Sequence, residues 1–291
     1  MFDNGLLKYF PKDFTSEGCL DLSNLHFEME YGNEEYSFLN FLRCKEGRFF
    51  CKYASKEFVD AEVLGSQIFR KAGLNSALYI PAKSSKGTLY AVSNDVIGTQ
   101  NIIAFDHMQI LREQLNTEFP LSMPNKKKDN LIDYSKIITK DAMRDVIKMR
   151  YFDVAYENPD RHESNYALKV ENGIITAVYM FDFGESANKL ERGYLLDYYH
   201  DFEFKKNSLL SDLEMLLMAR ENENLQDYIS CSELAENIGS INVSAIASDI
   251  KSTIGYEIGG EFIDQTARKF DYVAEGLVCS EEKLLDLYFE G

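Results

Sequence analysis

The sequence predicts an α+β protein with a small β-rich part followed by a larger, mainly helical part. Residues 1 to about 95 are rich in aromatic and β-branched residues, which are interrupted by short turns. Beyond about residue 100, apolar residues recur mostly at helical spacing. Within that second half, one Asn-Gly pair between two β-type runs predicts a single hairpin. The expected divisions are therefore residues 1–95 and 96–291.

Four strands and one helix are predicted in the first part. The strands lie at residues 36–42, 48–53, 77–81 and 88–92. The helix covers about residues 58–73, because its apolar residues follow the helical repeat and Gly73 is a suitable C-terminal stop. The polar residues 93–95 then form a short joint to the second part.

Seven helices and one hairpin are predicted in the second part. Helices are predicted at residues 103–115, 141–156, 209–221, 232–238, 243–254, 261–274 and 281–288. Thr139, Asn242 and Ser280 are suitable N-caps for three of them. The hairpin consists of strands at 166–170 and 174–179, around the Asn-Gly pair at 172–173.

Charge and cysteine content limit the partners and the compartment. The 291 residues include 31 basic and 48 acidic ones, a formal charge of −17. Such a surface repels nucleic acid and anionic membranes, and it favours a basic protein or a cation-neutralised ligand such as Mg-nucleotide. The five scattered cysteines form no CxxC pair, which is typical of a reducing compartment. No signal peptide or membrane span is visible, so a cytoplasmic location is expected.

Distinctive polar residues flank the predicted hairpin. Asp160, Arg161, His162 and Asn165 precede it, and the triplet Asp-Phe-Gly at 182–184 follows it. Four fixed positions at roughly 5% each give about two accidental matches per thousand chains of this length. The nearby triplet lowers that frequency by a further factor of roughly 250. Taken singly, each residue has a plain structural explanation; taken together they indicate a site.

The chemistry that suits this set is phosphoryl transfer. That reaction needs cations that neutralise phosphate oxygens and an acceptor that orients the attacking hydroxyl. A hairpin between Asn165 and Asp182 returns both oxygen ligands to one end of the second part, where they suit Mg²⁺. Gly184 is expected to allow a sharp turn after Asp182.

The first part supplies candidate nucleotide-binding residues. Lys52 ends a predicted strand and Glu62 lies ten residues later in the predicted helix. This is the arrangement in which a strand lysine contacts the ATP phosphates and a helix glutamate holds it. Lys56 and Glu57 are nearby alternatives that are expected to be solvated.

The joint between the two parts is the expected adenine site. The backbone of Ser93 and Asp95 is predicted to contact the adenine edge, with Tyr90 or Val92 lining the slot. No Gly-x-Gly-x-x-Gly sequence is present, so the element that covers the phosphates has no clear signature. Residues 30–35 are the candidate turn for it, although their acidic side chains suit phosphate poorly.

These residues and motifs resemble those of the HipA-like kinases, bacterial serine/threonine kinases known best from toxin–antitoxin modules. The resemblance implies a bilobal protein-kinase-like fold, with ATP and Mg²⁺ as cofactors. It implies that Asp160 is the catalytic base, in a catalytic loop that also contains His162 and Asn165. It further implies that Asn165 and Asp182 bind Mg²⁺ and that Lys52 binds the ATP phosphates. The triplet at 182–184 departs from HipA-like toxins and is shared with the phosphoinositide lipid kinases. The chain therefore looks more like the compact, stand-alone HipA-related kinases, which combine the two patterns.

Three functions remain open from the sequence. The first is a kinase that phosphorylates Ser or Thr of a protein, itself included, with an antitoxin or another regulatory partner as a candidate ligand. The second is a small-molecule or lipid kinase on the same scaffold, although a −17 charge does not suit a lipid surface. The third is a pseudokinase that binds nucleotide without catalysis.

Overall fold

The structure is a computed structural model, and it describes residues 14–24, 28–31, 39–44, 47–94, 102–103, 138–158, 161, 165–186 and 212–284. Three residues of the predicted site, Asp95, Asp160 and His162, lie outside these ranges. Most of the predicted helix at 103–115 and much of the turn predicted at 30–35 lie outside them as well. The described residues form the predicted α+β architecture.

The strands assemble into two sheets. The structure contains β1 (Leu20–Asp21), β2 (Glu28–Tyr31), β3 (Leu39–Cys44), β4 (Gly47–Tyr53), β5 (Asn75–Ser76), β6 (Tyr79–Lys83), β7 (Leu89–Asn94), β8 (Ile102–Ile103), β9 (Tyr166–Glu171) and β10 (Ile174–Met180). The first sheet has the order β1-β6-β7-β4-β3-β2, and the second has the order β5-β10-β9-β8. All neighbours are antiparallel except β1 with β6 and β5 with β10.

A single helix covers one face of the first sheet. Helix α1 (Lys56–Lys71) begins where the Ser55 hydroxyl accepts the N–H of Phe58, and it presents apolar residues such as Val63 and Ile68 to the sheet. Gly73 follows its last turn with φ of 78°, a left-handed conformation that favours glycine and that confirms the predicted stop. The opposite face of the sheet forms a second apolar cluster around Leu20, Cys51 and Val92.

The second part is mainly helical, as predicted. It contains α2 (Lys140–Tyr156), α3 (Asp212–Glu221), α4 (Glu223–Gln226), α5 (Cys231–Gly239), α6 (Val243–Ile254) and α7 (Gly260–Gly276). All three predicted N-caps are confirmed: Thr139, Asn242 and Ser280 each accept a backbone N–H three residues later. Helix α4 was not predicted, because four residues carry too little periodicity.

The predicted hairpin is confirmed and it joins the two halves of the chain. Strands β9 and β10 are antiparallel, with Ile174 opposite Glu171. Asn172 and Gly173 have φ of 54° and 79°, the conformation that a two-residue hairpin turn requires. The far end of β10 also pairs with β5, which follows α1. The hairpin therefore ends beside the helix that carries Glu62.

Candidate active site

Lys52 lies on the face of the first sheet that α1 covers. Antiparallel pairing places it directly opposite Ala91, and it places Phe50 opposite Ser93. Because directly opposite side chains point to the same face, Lys52, Ala91 and Ser93 share a face. Tyr90 precedes Ala91 in the strand, so its side chain points to the other face and packs against the apolar cluster there. The prediction that Tyr90 lines the nucleotide slot is therefore corrected: its side chain points away from Lys52.

The predicted Lys52–Glu62 pair is present, and Asp182 joins it. The Lys52 Nζ lies 2.7 Å from Asp182 Oδ1 and 3.5 Å from Glu62 Oε1. The Glu62 side chain is 1% exposed, whereas those of Lys52 and Asp182 are 17% and 27% exposed. The cluster thus has a closed side at Glu62 and an open side at Asp182. A ligand that contacts these groups must approach from the Asp182 side.

The environment of the three groups keeps Lys52 and Asp182 charged. Burial raises the pKa of the Glu62 carboxyl to about 8, and the negative charge of Asp182 acts in the same direction. Burial would lower the pKa of Lys52, but the Glu62 and Asp182 carboxylates raise it above its ordinary value. Burial would raise the pKa of Asp182, but the Lys52 ammonium outweighs it and lowers that pKa. The Lys52 ammonium and the Asp182 carboxylate, 2.7 Å apart, therefore stabilise each other's charge.

The backbone at residue 182 has an unusual conformation that other side chains hold. Asp182 has φ of 60°, in the left-handed region. Its N–H donates to the Tyr79 hydroxyl at 3.2 Å, and the next N–H, of Phe183, donates to Glu62 Oε2 at 2.8 Å. The Asn158 amide donates to the Asp182 carbonyl at 3.4 Å. The sharp turn predicted after Asp182 thus occurs at Asp182 itself.

The φ of Gly184 is not left-handed, so the conformation of the backbone does not require a glycine there. The space around residue 184 does require one. A Cβ atom at Gly184 would lie 2.7 Å from Phe58 Cδ1 and 3.2 Å from Glu62 Oε1. Its neighbour Phe183 is fully buried, and its ring contacts those of Phe69, Tyr79 and Tyr156. Through the contact with Phe69, the triplet packs against α1.

Arg161 connects the loop before the hairpin to the residues after it. Its guanidinium donates three hydrogen bonds to the Asp153 carboxylate, at 3.1 to 3.3 Å. It also donates to the backbone carbonyls of Asn165, at 2.6 Å, and Phe181. Both Arg161 and Asp153 are 5% exposed, so the pair is a buried ion pair. It brings Asn165 and Asp182 to the same end of the hairpin, as expected from the sequence.

The helix that carries Glu62 is also anchored on its other side. Asp60 is 4% exposed, and its carboxylate accepts hydrogen bonds from Lys56 Nζ, the Tyr256 hydroxyl and the Gly259 N–H. Lys56, expected to be solvated, is 48% exposed and pairs with this aspartate. Residues 60 and 62 lie about 200° apart around a helix, so α1 is held from two opposite sides.

Sequence analysis missed Asp60 and Tyr79, and it assigned no role to Asn158. The signal for Tyr79 was its alternation with Ile80 in the strand, which places it on the Lys52 face. For Asp60 it was a charged residue within the apolar face of a helix. Ser93 and Asn94, predicted as a joint, instead belong to β7.

The described part of the chain contains no large cluster of metal-binding side chains. No group of three or more His, Cys, Asp or Glu residues there could hold a metal ion. Among the helices of the same described ranges, none has the length and apolar character needed to span a membrane.

Comparisons with known proteins show the fold. No protein-family model matches the sequence. No curated protein matches it either. The crystal structure of the Helicobacter pylori proinflammatory kinase CtkA is similar, with a TM-score of 0.56 and 14% identity, over 89% of this chain and 95% of that one. HipA of a Shewanella oneidensis MR-1 toxin–antitoxin system aligns with a TM-score of 0.44 and 14% identity, over 89% of this chain and 64% of that one. The likeness to CtkA shows that the chain has a protein-kinase-like fold.

Proposed function

We propose that the chain is a kinase that transfers the γ-phosphoryl group of ATP to a serine or threonine hydroxyl of a protein, with Mg²⁺ as the cofactor. The observation that carries this proposal is the contact of Lys52 with both Glu62 and Asp182. A strand lysine, a helix glutamate ten residues later and an Asp-Phe-Gly aspartate from the distant end of the hairpin meet in a protein-kinase-like fold.

Each of the three groups has a role in binding the phosphates. The Lys52 ammonium binds phosphate oxygens, and the buried Glu62 holds it in position. The Asp182 carboxylate lies on the open side of the cluster, where a hard oxygen ligand suits Mg²⁺. Asn165 at the same end of the hairpin is the second candidate ligand. Mg²⁺, when bound, neutralises phosphate oxygens during transfer.

The acceptor side of the reaction belongs to the loop before the hairpin. In the proposed reaction the acceptor oxygen forms a bond to the γ-phosphorus while the bond to the ADP oxygen breaks. Asp160 takes the proton of the hydroxyl, as the resemblance to HipA-like kinases implies. The same resemblance supports a protein acceptor. The buried Arg161, next in sequence, pairs with Asp153.

The proposal is tested with Asp182→Asn and Glu171→Gln. The purified protein is incubated with Mg-ATP, and phosphate transfer is followed as ADP release and by mass spectrometry of the protein. Asp182→Asn keeps the shape of the side chain but loses the carboxylate, so a loss of about 100-fold or more is expected. Glu171 lies at the exposed far end of the same hairpin, and Glu171→Gln should retain wild-type turnover.

Two results would contradict the proposal in different ways. Equal turnover in Asp182→Asn and the wild type would remove the assigned role of Asp182. Turnover that depends on an added small alcohol, without any phosphorylated serine or threonine, would retain a kinase but overturn the protein acceptor.

A further inference from the structure

Asp182 occupies a backbone conformation that it would not keep alone. A left-handed φ of 60° is unfavourable for residues with a Cβ atom, although aspartate tolerates it better than most. Such conformations persist only where the surroundings hold them, and they concentrate at functional sites. The group that holds the N–H of Asp182 is the hydroxyl of Tyr79, 103 residues earlier in the chain.

We propose that Tyr79 is a positioning residue for the Asp182 carboxylate. Its hydroxyl accepts the N–H of Asp182 and thereby fixes the conformation that turns the carboxylate toward Lys52 and Mg-nucleotide. This inference rests on the proposed function, because it concerns how the same site binds its cofactor.

The location of Tyr79 suits this task. It lies in the regular strand β6, and it is 7% exposed. Its ring packs edge-on against Phe183 with centroids 6.3 Å apart, which limits movement of the hydroxyl. Burial, followed by the charges of Glu62 and Asp182, raises the pKa of Tyr79 well above its ordinary value. The phenol is therefore neutral, and it retains a lone pair for the Asp182 N–H.

Two residues from the first part of the chain thus accept two successive backbone N–H groups. Tyr79 takes the N–H of Asp182, and Glu62 takes that of Phe183. Loss of the hydroxyl would leave the first N–H without its acceptor while the second stays bound. Residue 182 could then rotate toward commoner backbone angles, which would turn the carboxylate away from Lys52. The expected defect is in Mg²⁺-dependent binding rather than in nucleotide binding as such.

The test compares Tyr79→Phe with Tyr151→Phe by calorimetric titration of ADP, once with Mg²⁺ and once with EDTA. Tyr79→Phe removes the hydroxyl but keeps the ring against Phe183. Tyr151 is a matched control, because its buried hydroxyl also binds a backbone group, the Met215 carbonyl at 2.9 Å, away from Asp182. The ratio of the ADP affinity in Mg²⁺ to that in EDTA should be roughly 5- to 50-fold smaller in Tyr79→Phe than in the wild type. The ADP affinity in EDTA should be unchanged. Tyr151→Phe should bind as the wild type does in both conditions.

The outcomes separate this inference from the proposed function. Wild-type protein that binds no ADP, or whose ADP binding ignores Mg²⁺, overturns the proposed function and this inference with it. A wild-type Mg²⁺ effect that survives in Tyr79→Phe overturns the positioning role alone. An equal loss of ADP affinity in Mg²⁺ and in EDTA would make Tyr79 a general structural residue and refute the inference. A Tyr79→Phe protein that does not fold would have the same meaning.

Discussion

The buried ion pair between Asp153 and Arg161 leads to the most quantitative prediction. Asp153→Ala removes three hydrogen bonds from a guanidinium that is 5% exposed and leaves its charge without a counterion. Loss of one partner of a buried pair costs about 3–5 kcal/mol. Arg161 keeps the carbonyls of Asn165 and Phe181, and its charge lies 5.0 Å from the Phe183 ring centroid, so the lower half of that range is expected. Against a total stability of about 5–15 kcal/mol, this loss is large.

Urea unfolding measures the effect as a change in the free energy of unfolding. The 18 tyrosines and the absence of tryptophan make circular dichroism and tyrosine fluorescence suitable probes. Asp153→Asn, which retains one acceptor oxygen for Arg161, should lose about 1.5–3 kcal/mol, less than Asp153→Ala. Glu17→Gln breaks the exposed pair with Lys83 and should change stability much less, because water already solvates both groups.

Two results would refute this reasoning. Asp153→Ala could unfold at the wild-type urea concentration, or Asp153→Asn could prove as damaging as Asp153→Ala. A second arm uses Asp153→Leu together with Arg161→Met. The double variant should recover part of the stability that Asp153→Ala loses, because no unpaired charge stays buried.

Two further predictions follow from close packing and from burial. A Cβ atom in Gly65→Ala would lie 2.8 Å from Phe183 Cβ, so this variant should lose about 1–3 kcal/mol in urea unfolding, whereas Gly239→Ala, in ordinary contact, should be neutral or stabilising. Burial raises the pKa of Cys51 to about 12, so at pH 8 its thiol should react with a thiol reagent roughly a thousandfold more slowly in the native protein than in urea, while the partly exposed Cys279 reacts readily in both. Equal destabilisation by the two alanines, or rapid native labelling of Cys51, would contradict the packing described above.

The elements that sequence analysis predicted best are those with local causes. The hairpin depends on Asn172 and Gly173, whose left-handed φ values fit a two-residue turn. Helix α6 begins and ends as predicted, because Asn242 caps its first turn and Gly255 adopts a left-handed φ after its last. The last two residues of β7, Ser93 and Asn94, were not predicted as strand, since they have little strand propensity and are held by pairing with β4 and β6.

In the candidate site, too, some residues could be predicted from local sequence and others depend on distant contacts. Lys52, Glu62 and Asp182 could be selected in advance because their spacing matches the requirements of phosphoryl transfer, and the structure brings all three together. Tyr90 could not be assigned to a face, since one residue of register reverses every side chain of a strand. Two partners of Asp60, Tyr256 and Gly259, lie almost 200 residues away in the chain, beyond the reach of any local pattern.

The sequence by itself predicted the hairpin, strands β3, β4, β6 and β7 and every described α-helix except α4, but not the strands β1, β2, β5 and β8. It also indicated the chemical character of the site, because turns, caps and carboxylate spacing act over a few residues. The tertiary structure alone decided that Tyr79 holds the backbone of Asp182, that Asp60 anchors α1 from its far side, and that Arg161 joins the two ends of the hairpin. These contacts result from packing, in which buried polar groups must find partners wherever the fold brings them. The geometry of the site is therefore a property of the whole domain.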